Sequence, residues 1–172
     1  SAAFDGTGDY LTVADSSDFD FGTGDFTIDY WVNFANTQSR MFGIGIYNSA
    51  GIGAYFHPIT KNLELYINSA TAQTFAWDPA LNTWYHVAIA RSGTSLKVFI
   101  NGTQIGSTVS NNTNLSTSDG VYIGAWSGVT GSELHNGYID EFRVSKGIAR
   151  WTTNFTPPAA AYSSTGSNVI FK

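Results

Sequence analysis

Short segments in which hydrophobic and polar residues alternate run through most of the chain, and turn residues separate them. The clearest segment covers residues 26–34, where every second side chain is Phe, Ile, Tyr or Val. Successive side chains of a strand point to opposite faces, so this pattern predicts a strand with one face in a core. Residues 63–67 and 85–91 repeat the alternation and predict two further strands.

The dipeptide Asn101-Gly102 separates two more apolar segments, residues 95–100 and 103–106. Asn and Gly accept the positive φ angles of a tight hairpin turn, so a β-hairpin is predicted here. Residues 120–124 and 169–171 predict short strands, and the two prolines within residues 154–159 predict an extended tail. The best helical candidate, residues 78–82, is a single turn. Many short strands with regular spacing favour an all-β sandwich or barrel.

Composition narrows the class of protein. The length of 172 residues fits one domain, residues 1–172, and 42% hydrophobic with 15% aromatic residues allows a large core. Charged residues make up 12%, about half the usual share, and the net charge of −5 comes without any basic run. We therefore expect no nucleic-acid partner and, since no long apolar stretch occurs, no membrane insertion. The absence of Cys excludes disulfides and thiolate chemistry.

Four segments in chain order resemble the laminin-G-like domains of the concanavalin A-like lectin/glucanase superfamily. They are residues 4–11, 26–32, 84–102 and 137–144, which open with Phe-Asp-Gly-Thr-Gly-Asp, Phe-Thr-Ile-Asp, Trp-Tyr-His-Val-Ala and Gly-Tyr-Ile-Asp-Glu-Phe. Residues 147–151 and the Pro-Pro tail resemble modules of phage tail and bacterial surface proteins. The resemblance implies a two-sheet antiparallel β-sandwich, or jelly roll, that binds glycans or protein partners outside the cell, at a cell surface or on a virion.

Catalysis is not predicted, although a minority of the superfamily hydrolyses β-glucans. Those glucanases carry their acids on one strand as Glu-x-Asp-x-Glu or a one-residue expansion of it. The only glutamates here are Glu64, Glu133 and Glu141, and none lies in that pattern. The chain also lacks a Gly-x-Ser-x-Gly nucleophile elbow. Hydrolysis of a β-glucan stays as the weakest alternative.

A structural calcium ion is implied by the resemblance. Carried over to this chain, it implies Asp140 of the closing strand with Gly8 or Asp9 nearby, and Asp5 as a further candidate. Calcium takes six to eight oxygen ligands, including carboxylates and backbone carbonyls, and Asp residues crowd the first strand and its loop. The alternative is that these Asp residues cap turns through their own backbone.

Glycan binding needs aromatic rings for the apolar faces of sugars and polar side chains for their hydroxyls. The candidates lie in or beside predicted loops, and Trp126 borders a Ser- and Gly-rich stretch, residues 127–132. Packing is the alternative for each ring, and we assign Trp31, Trp77 and Trp84 mainly to packing or edge cover. The predicted ligand-binding residues are Arg40, Tyr47, Tyr55, His57, Trp126 and His135.

The sequence therefore favours a non-catalytic, lectin-like or adhesion module whose partner is a glycan or polysaccharide. A structural or protein-interaction module of a fibre, tail or surface assembly fits the low charge and the many Ser, Thr and Asn residues equally well. An exposed apolar patch or edge strand would favour that alternative.

Overall fold

The computed structural model describes residues 1–36, 39–45, 50–68, 71–128, 133–162 and 168–171. Strands account for the regular structure of this part of the chain, apart from one turn of 3₁₀ helix at Ser17–Phe19. The strands are β1 Ala2–Asp5, β2 Leu11–Val13, β3 Phe26–Phe34, β4 Ser39–Ile44, β5 Ile52–His57, β6 Asn62–Ile67, β7 Thr71–Ala76, β8 Trp84–Ser92, β9 Ser95–Ile100, β10 Thr103–Ser110, β11 Val121–Ile123, β12 Asn136–Lys146 and β13 Asn168–Phe171.

The strands form two antiparallel sheets, which confirms the predicted sandwich. Sheet A has the order β1-β12-β3-β8-β9-β10, with β13 also paired to β12. Sheet B has the order β2-β11-β4-β5-β6-β7. The predicted hairpin joins β9 to β10, and its two turn residues have φ angles of 49° at Asn101 and 76° at Gly102. These positive angles explain why Asn and Gly occupy the turn.

The ends of the chain meet on one strand. Strand β12 pairs with β3 along one edge, and its other edge is shared by β1 and β13. Ala2 of β1 lies opposite Ile139, and Phe171 of β13 lies opposite Phe142, three residues further along β12. The first and the last described strands therefore together form one edge of sheet A.

The hydrophobic core lies between the two sheets. Alternate residues of β3 point inwards, and Ile28, Tyr30 and Val32 are completely buried. Phe42 of β4 and Phe56 of β5 meet them from sheet B and are also completely buried. The alternation of hydrophobic and polar residues in the sequence thus indicates which face of each strand packs on the other sheet.

The outer face of sheet A is partly covered by residues 148–162, which we name the crossing segment. Thr27 Oγ1 of β3 donates a hydrogen bond to Ile148 O over 2.8 Å. The rings of Trp151 and Phe155 stack with centroids 4.0 Å apart and pack on Phe99 with its small neighbours in β8. The predicted extended tail is therefore a second layer on sheet A.

Candidate functional site

An aromatic cluster around Arg40 lies on the outer face of sheet B. Its members are Arg40, Tyr55, Tyr66 and Trp126. The guanidinium carbon of Arg40 lies 4.1 Å from the ring centroid of Trp126 and 5.3 Å from that of Tyr55. Trp126 lies over Gly53, where a Cβ atom would come within 2.9 Å of its Nε1 atom. Only glycine leaves room for the indole on this strand.

Two polar side chains of the Arg40 cluster are bonded to neighbouring acids, and two of its rings are buried. Arg40 is ion-paired with Glu133, and Tyr66 donates a hydrogen bond to the buried Glu64 over 3.0 Å. Burial, and then the hydrogen bond to Glu64, raise the pKa of Tyr66 to about 12. Trp126 is 6% exposed and Tyr55 7%, so neither presents an open ring face to a sugar. In the described part of the chain, Trp126 Nε1 finds no hydrogen-bond partner.

The predicted ligand-binding residues separate into different environments. Arg40, Tyr55 and Trp126 come together in the Arg40 cluster, and the ring of His57 lies 5.7 Å from that of Tyr55. Tyr47 lies outside the described residues. Three of the predicted residues thus share one cluster, and its fourth member Tyr66 and the acids Glu64 and Glu133 that contact it were not predicted. That any of these residues binds a ligand stays a prediction.

His135 needs a correction, because the side chain predicted to face a ligand is buried in the core. Its side chain is completely buried, with ring contacts to Phe4 and Phe34 and with Nδ1 2.6 Å from Ser39 Oγ. Burial disfavours the charged imidazolium and lowers the pKa of His135 to about 4. A loop position before β12 suggested exposure, but the loop places this side chain between the sheets.

An open groove of about 740 Å³ lies between the outer face of sheet A and the crossing segment. Trp84 is 40% exposed there, and its ring centroid lies 6.3 Å from that of Tyr138, which is 46% exposed. Trp77 packs on the core as expected. The exposed Trp84, in contrast, was expected to serve packing or edge cover. The groove is lined by Trp31, Trp84, Asn101, Asp140, Glu141 and residues 157–161.

Two consecutive carboxylates line this groove because β12 bulges there. The register between β12 and β3 shifts between Asp140 and Arg143, and Glu141 has a φ angle of 50°. In a regular strand, neighbouring side chains would point to opposite faces, whereas a bulge re-aims one of them. Glu141 N donates to Asp140 Oδ1 over 2.9 Å, and Tyr162 N donates to Glu141 Oε2 over 2.6 Å. Both acids are thus held in fixed positions.

A buried polar network anchors the wall that the crossing segment supplies. Arg143 donates two hydrogen bonds of 2.9 Å to the carboxylate of Asp29, which is completely buried. His86 Nε2 lies 2.9 Å from the hydroxyl of Tyr162, and the guanidinium of Arg143 lies 3.8 Å from the Tyr162 ring centroid. Burial, and then the charge of Asp29, raise the pKa of Tyr162. The network fixes the end of the crossing segment against sheet A.

The residues predicted for calcium lie at two places along the edge of β12. Asp5 lies opposite Asn136, and Asp140 is four residues further along β12, roughly 13 Å at about 3.3 Å per residue. Thr7 N donates to Asp5 Oδ1 over 2.6 Å, and Asp5 N donates to Asp9 Oδ2 over 3.2 Å, which is the turn-capping role of the alternative. Gly8 lies in that same turn. The described residues contain no group of three or more His, Cys, Asp or Glu able to hold a metal.

Comparisons with known proteins identify the fold. A family model described as the concanavalin A-like lectin/glucanases superfamily matches residues 5–150. A candidate carbohydrate binding protein from Bacteroides ovatus has a TM-score of 0.66 at 19% identity, over 83% of this chain and 42% of its own. Domains LG4-5 of the mouse laminin alpha1 chain have a TM-score of 0.64 at 16% identity, over 83% and 40%. A heptameric SAP-like pentraxin from Limulus polyphemus has a TM-score of 0.63 at 19% identity, over 90% and 76%.

The chain spans about two fifths of the length of the first two of these structures. At such identities the likeness concerns the fold, and it says nothing about which ligand this chain takes. A sequence search of curated proteins found no match. Across the described ranges, no helix is long and apolar enough to cross a membrane.

Proposed function

Since the chain belongs to the concanavalin A-like lectin/glucanases superfamily, we propose that it is a non-catalytic carbohydrate-binding module. Its partner in this proposal is a glycan or polysaccharide, and its place of action is extracellular, at a cell surface or on a virion. The candidate carbohydrate binding protein from Bacteroides ovatus supports the proposal at the level of the fold. The choice of site rests on this chain's own groove.

The observation that carries the proposal is the exposed Trp84 in an open groove whose largely apolar wall also holds three polar side chains. The volume of about 740 Å³ lies within the range of ligand-binding clefts. Sugars have apolar C–H faces that stack on aromatic rings, and hydroxyls that hydrogen-bond to carboxylates and amides. Trp84 and Trp31 supply rings, and Asp140, Glu141 and Asn101 supply polar groups. The Arg40 cluster also has rings, but its rings are covered.

Binding to a glycan array and titration calorimetry with the best ligand test the proposal. We expect Trp84→Ala to weaken binding about tenfold, because an aromatic contact contributes through both buried area and ring geometry. Tyr10→Ala is the matched control, since Tyr10 is another exposed aromatic residue, at 49%, and it precedes β2 of the other sheet. Wild-type affinity of Trp84→Ala, or no glycan bound by the wild-type protein, would contradict the proposal.

Hydrolysis is the enzymatic alternative, and a reducing-sugar assay on laminarin tests it. Retaining glycosidases need two carboxyl groups about 5 Å apart. The groove on sheet A holds the carboxyl groups of Asp140 and Glu141, and each of them accepts a backbone hydrogen bond, from Glu141 N and from Tyr162 N. Glu64 and Glu133 lie on sheet B, where they are bonded to Tyr66 and Arg40. Release of reducing sugar that Glu141→Gln abolishes would establish an enzyme instead.

Protein interaction is the second alternative, and the edge of sheet B favours it. Leu11 of the short edge strand β2 is 44% exposed and follows the exposed Tyr10. An uncovered edge strand with apolar side chains is a common site of protein association. Under this alternative the module associates in sedimentation experiments, Leu11→Lys abolishes the association, and Trp84→Ala leaves it unchanged.

A further inference from the structure

We infer that the groove on sheet A prefers glycans that carry free amino groups, accepts neutral glycans, and rejects glycans that carry carboxylates. The inference rests on the proposed function, because it names the class of sugar that this same groove takes. It follows from the sign and the placement of the charges around the groove.

The charges on the groove lining have one sign. Asp140 and Glu141 are its two ionisable side chains, and among the described residues that line it none is Lys, Arg or His. Apart from the uncharged Asn101, the remaining wall is apolar, since it consists of Trp31, Trp84 and the Pro and Ala residues of 157–161. Low-dielectric walls strengthen the field of the charges between them. A bound cation is therefore favoured here, and a bound anion is disfavoured.

The cationic side chain that follows the two acids on β12 is already neutralised. Arg143, next on β12, is buried and gives two hydrogen bonds to Asp29 beneath the crossing segment. The amino group of Ser1 lies 3.4 Å from Asp140 Oδ1, but one such charge would balance only one of the two carboxylates. The backbone amides of Glu141 and Tyr162 hold both carboxylates in place. A uronic or sialic acid would meet uncompensated negative charge in this groove.

Calorimetry with three oligosaccharides of equal length tests the inference at mildly acidic pH, where amines and carboxylates are both charged. The probes are a glucosamine oligomer, its fully N-acetylated counterpart and an oligogalacturonate. We expect the amine to bind roughly threefold to fivefold more tightly than the N-acetylated probe, the range of an exposed ion pair, and the acid to bind correspondingly more weakly. Added salt should reduce both differences.

The double variant Asp140→Asn/Glu141→Gln removes both charges and keeps the shapes, with one acceptor oxygen at each position and an NH2 donor in place of the other. We expect it to bind all three probes with similar affinity, so that the order of affinities seen with the wild-type protein disappears. The matched control is Asp15→Asn/Asp18→Asn, which removes the same charge from two exposed acids near the 3₁₀ helix. This control should keep the wild-type order of affinities.

The outcomes separate the inference from the proposed function. Suppose that Trp84→Ala weakens the binding of all three probes. If the wild-type protein then shows no order of affinities, or if the order survives in Asp140→Asn/Glu141→Gln, the groove binds sugars but the charge inference is overturned. If no probe binds, or Trp84→Ala binds all of them as wild type, the proposed function at this groove fails and the inference fails with it. If the control double variant also loses the order, the effect comes from net charge, and the inference is overturned.

Discussion

At the scale of single residues, the buried charge of Asp29 is expected to have a large effect on stability. Its carboxylate is completely buried and its partner is the buried Arg143. Removing one partner of a buried pair leaves the other charge without compensation in a medium of low dielectric constant. The pair joins β3 to β12 within sheet A, and Arg143 also lies over the Tyr162 ring of the crossing segment.

We predict that Asp29→Asn lowers the free energy of unfolding by about 3 to 5 kcal/mol. The same change at Asp78, whose ion pair with Lys61 is exposed, should cost less than about 1 kcal/mol. Urea denaturation of both variants measures the difference. Equal effects at the two sites would mean that the Asp29–Arg143 pair contributes no more than a surface contact.

His135 makes stability depend on pH. Its native pKa of about 4 lies below the ordinary 6.5, so between these values the unfolded chain binds a proton that the folded chain does not. Stability should therefore fall as the pH is lowered from 6.5 to about 4. A pKa shift of this size corresponds to a total loss of about 3 kcal/mol in the free energy of unfolding.

Denaturation midpoints across this pH range measure the effect. His135→Gln should flatten the dependence, because it removes the titrating ring. Ser39→Ala removes the 2.6 Å contact to Nδ1 but keeps the imidazole, so it should lower stability and keep the slope. A His135→Gln variant with the wild-type slope would assign the acid sensitivity to other groups.

At the scale of elements, the crossing segment determines what sheet A shows to solvent. Trp151 and Phe155 cover the small residues of β8, and residues 157–161 form one wall of the groove. We expect Trp151→Ala to cost roughly 2 kcal/mol, less than a fully buried ring would, because Trp151 is half-buried. Trp84→Ala, at an exposed position, should lie within about 1 kcal/mol of wild type.

Thermal melting measures the stability of these two Trp variants, and hydrogen exchange measures how well their β8 amides are protected. Faster exchange in β8 is expected for Trp151→Ala and not for Trp84→Ala, because the segment shields the outer face of that strand. Equal stability of the two variants would show that the segment is not a packed layer in solution.

At the scale of the whole molecule, β1 and β13 together form one edge of sheet A, because both pair with the same side of β12. Backbone hydrogen bonds hold this edge, and the residues predicted for calcium are spread along it. Calcium binding stays a prediction of the resemblance. It predicts that EDTA lowers the melting temperature and that Asp140→Asn removes this dependence. An identical melting temperature in calcium and in EDTA would contradict it.

Much of the fold could be predicted from the sequence because its signals are local. The alternation in residues 26–34 gives β3 with its observed bounds, and Asn101-Gly102 gives the β9–β10 hairpin. The family predicted from the opening and closing segments is confirmed by the match over residues 5–150. Each of these signals depends on a few neighbouring residues and on the geometry of one strand or one turn.

The candidate site could not be predicted in the same way. Alternation places Trp84 on the outer face of β8, but its exposure depends on where residues 157–161 pass. Asp140 and Glu141 both line the groove because β12 bulges against β3, and His135 is buried because its loop lies between the sheets. The sequence by itself determined the strands, the hairpin and the family, since periodicity and turn chemistry are properties of neighbouring residues. Only the tertiary structure decided which rings stay open to a ligand, because exposure is set by segments that are distant in sequence and packed together in space.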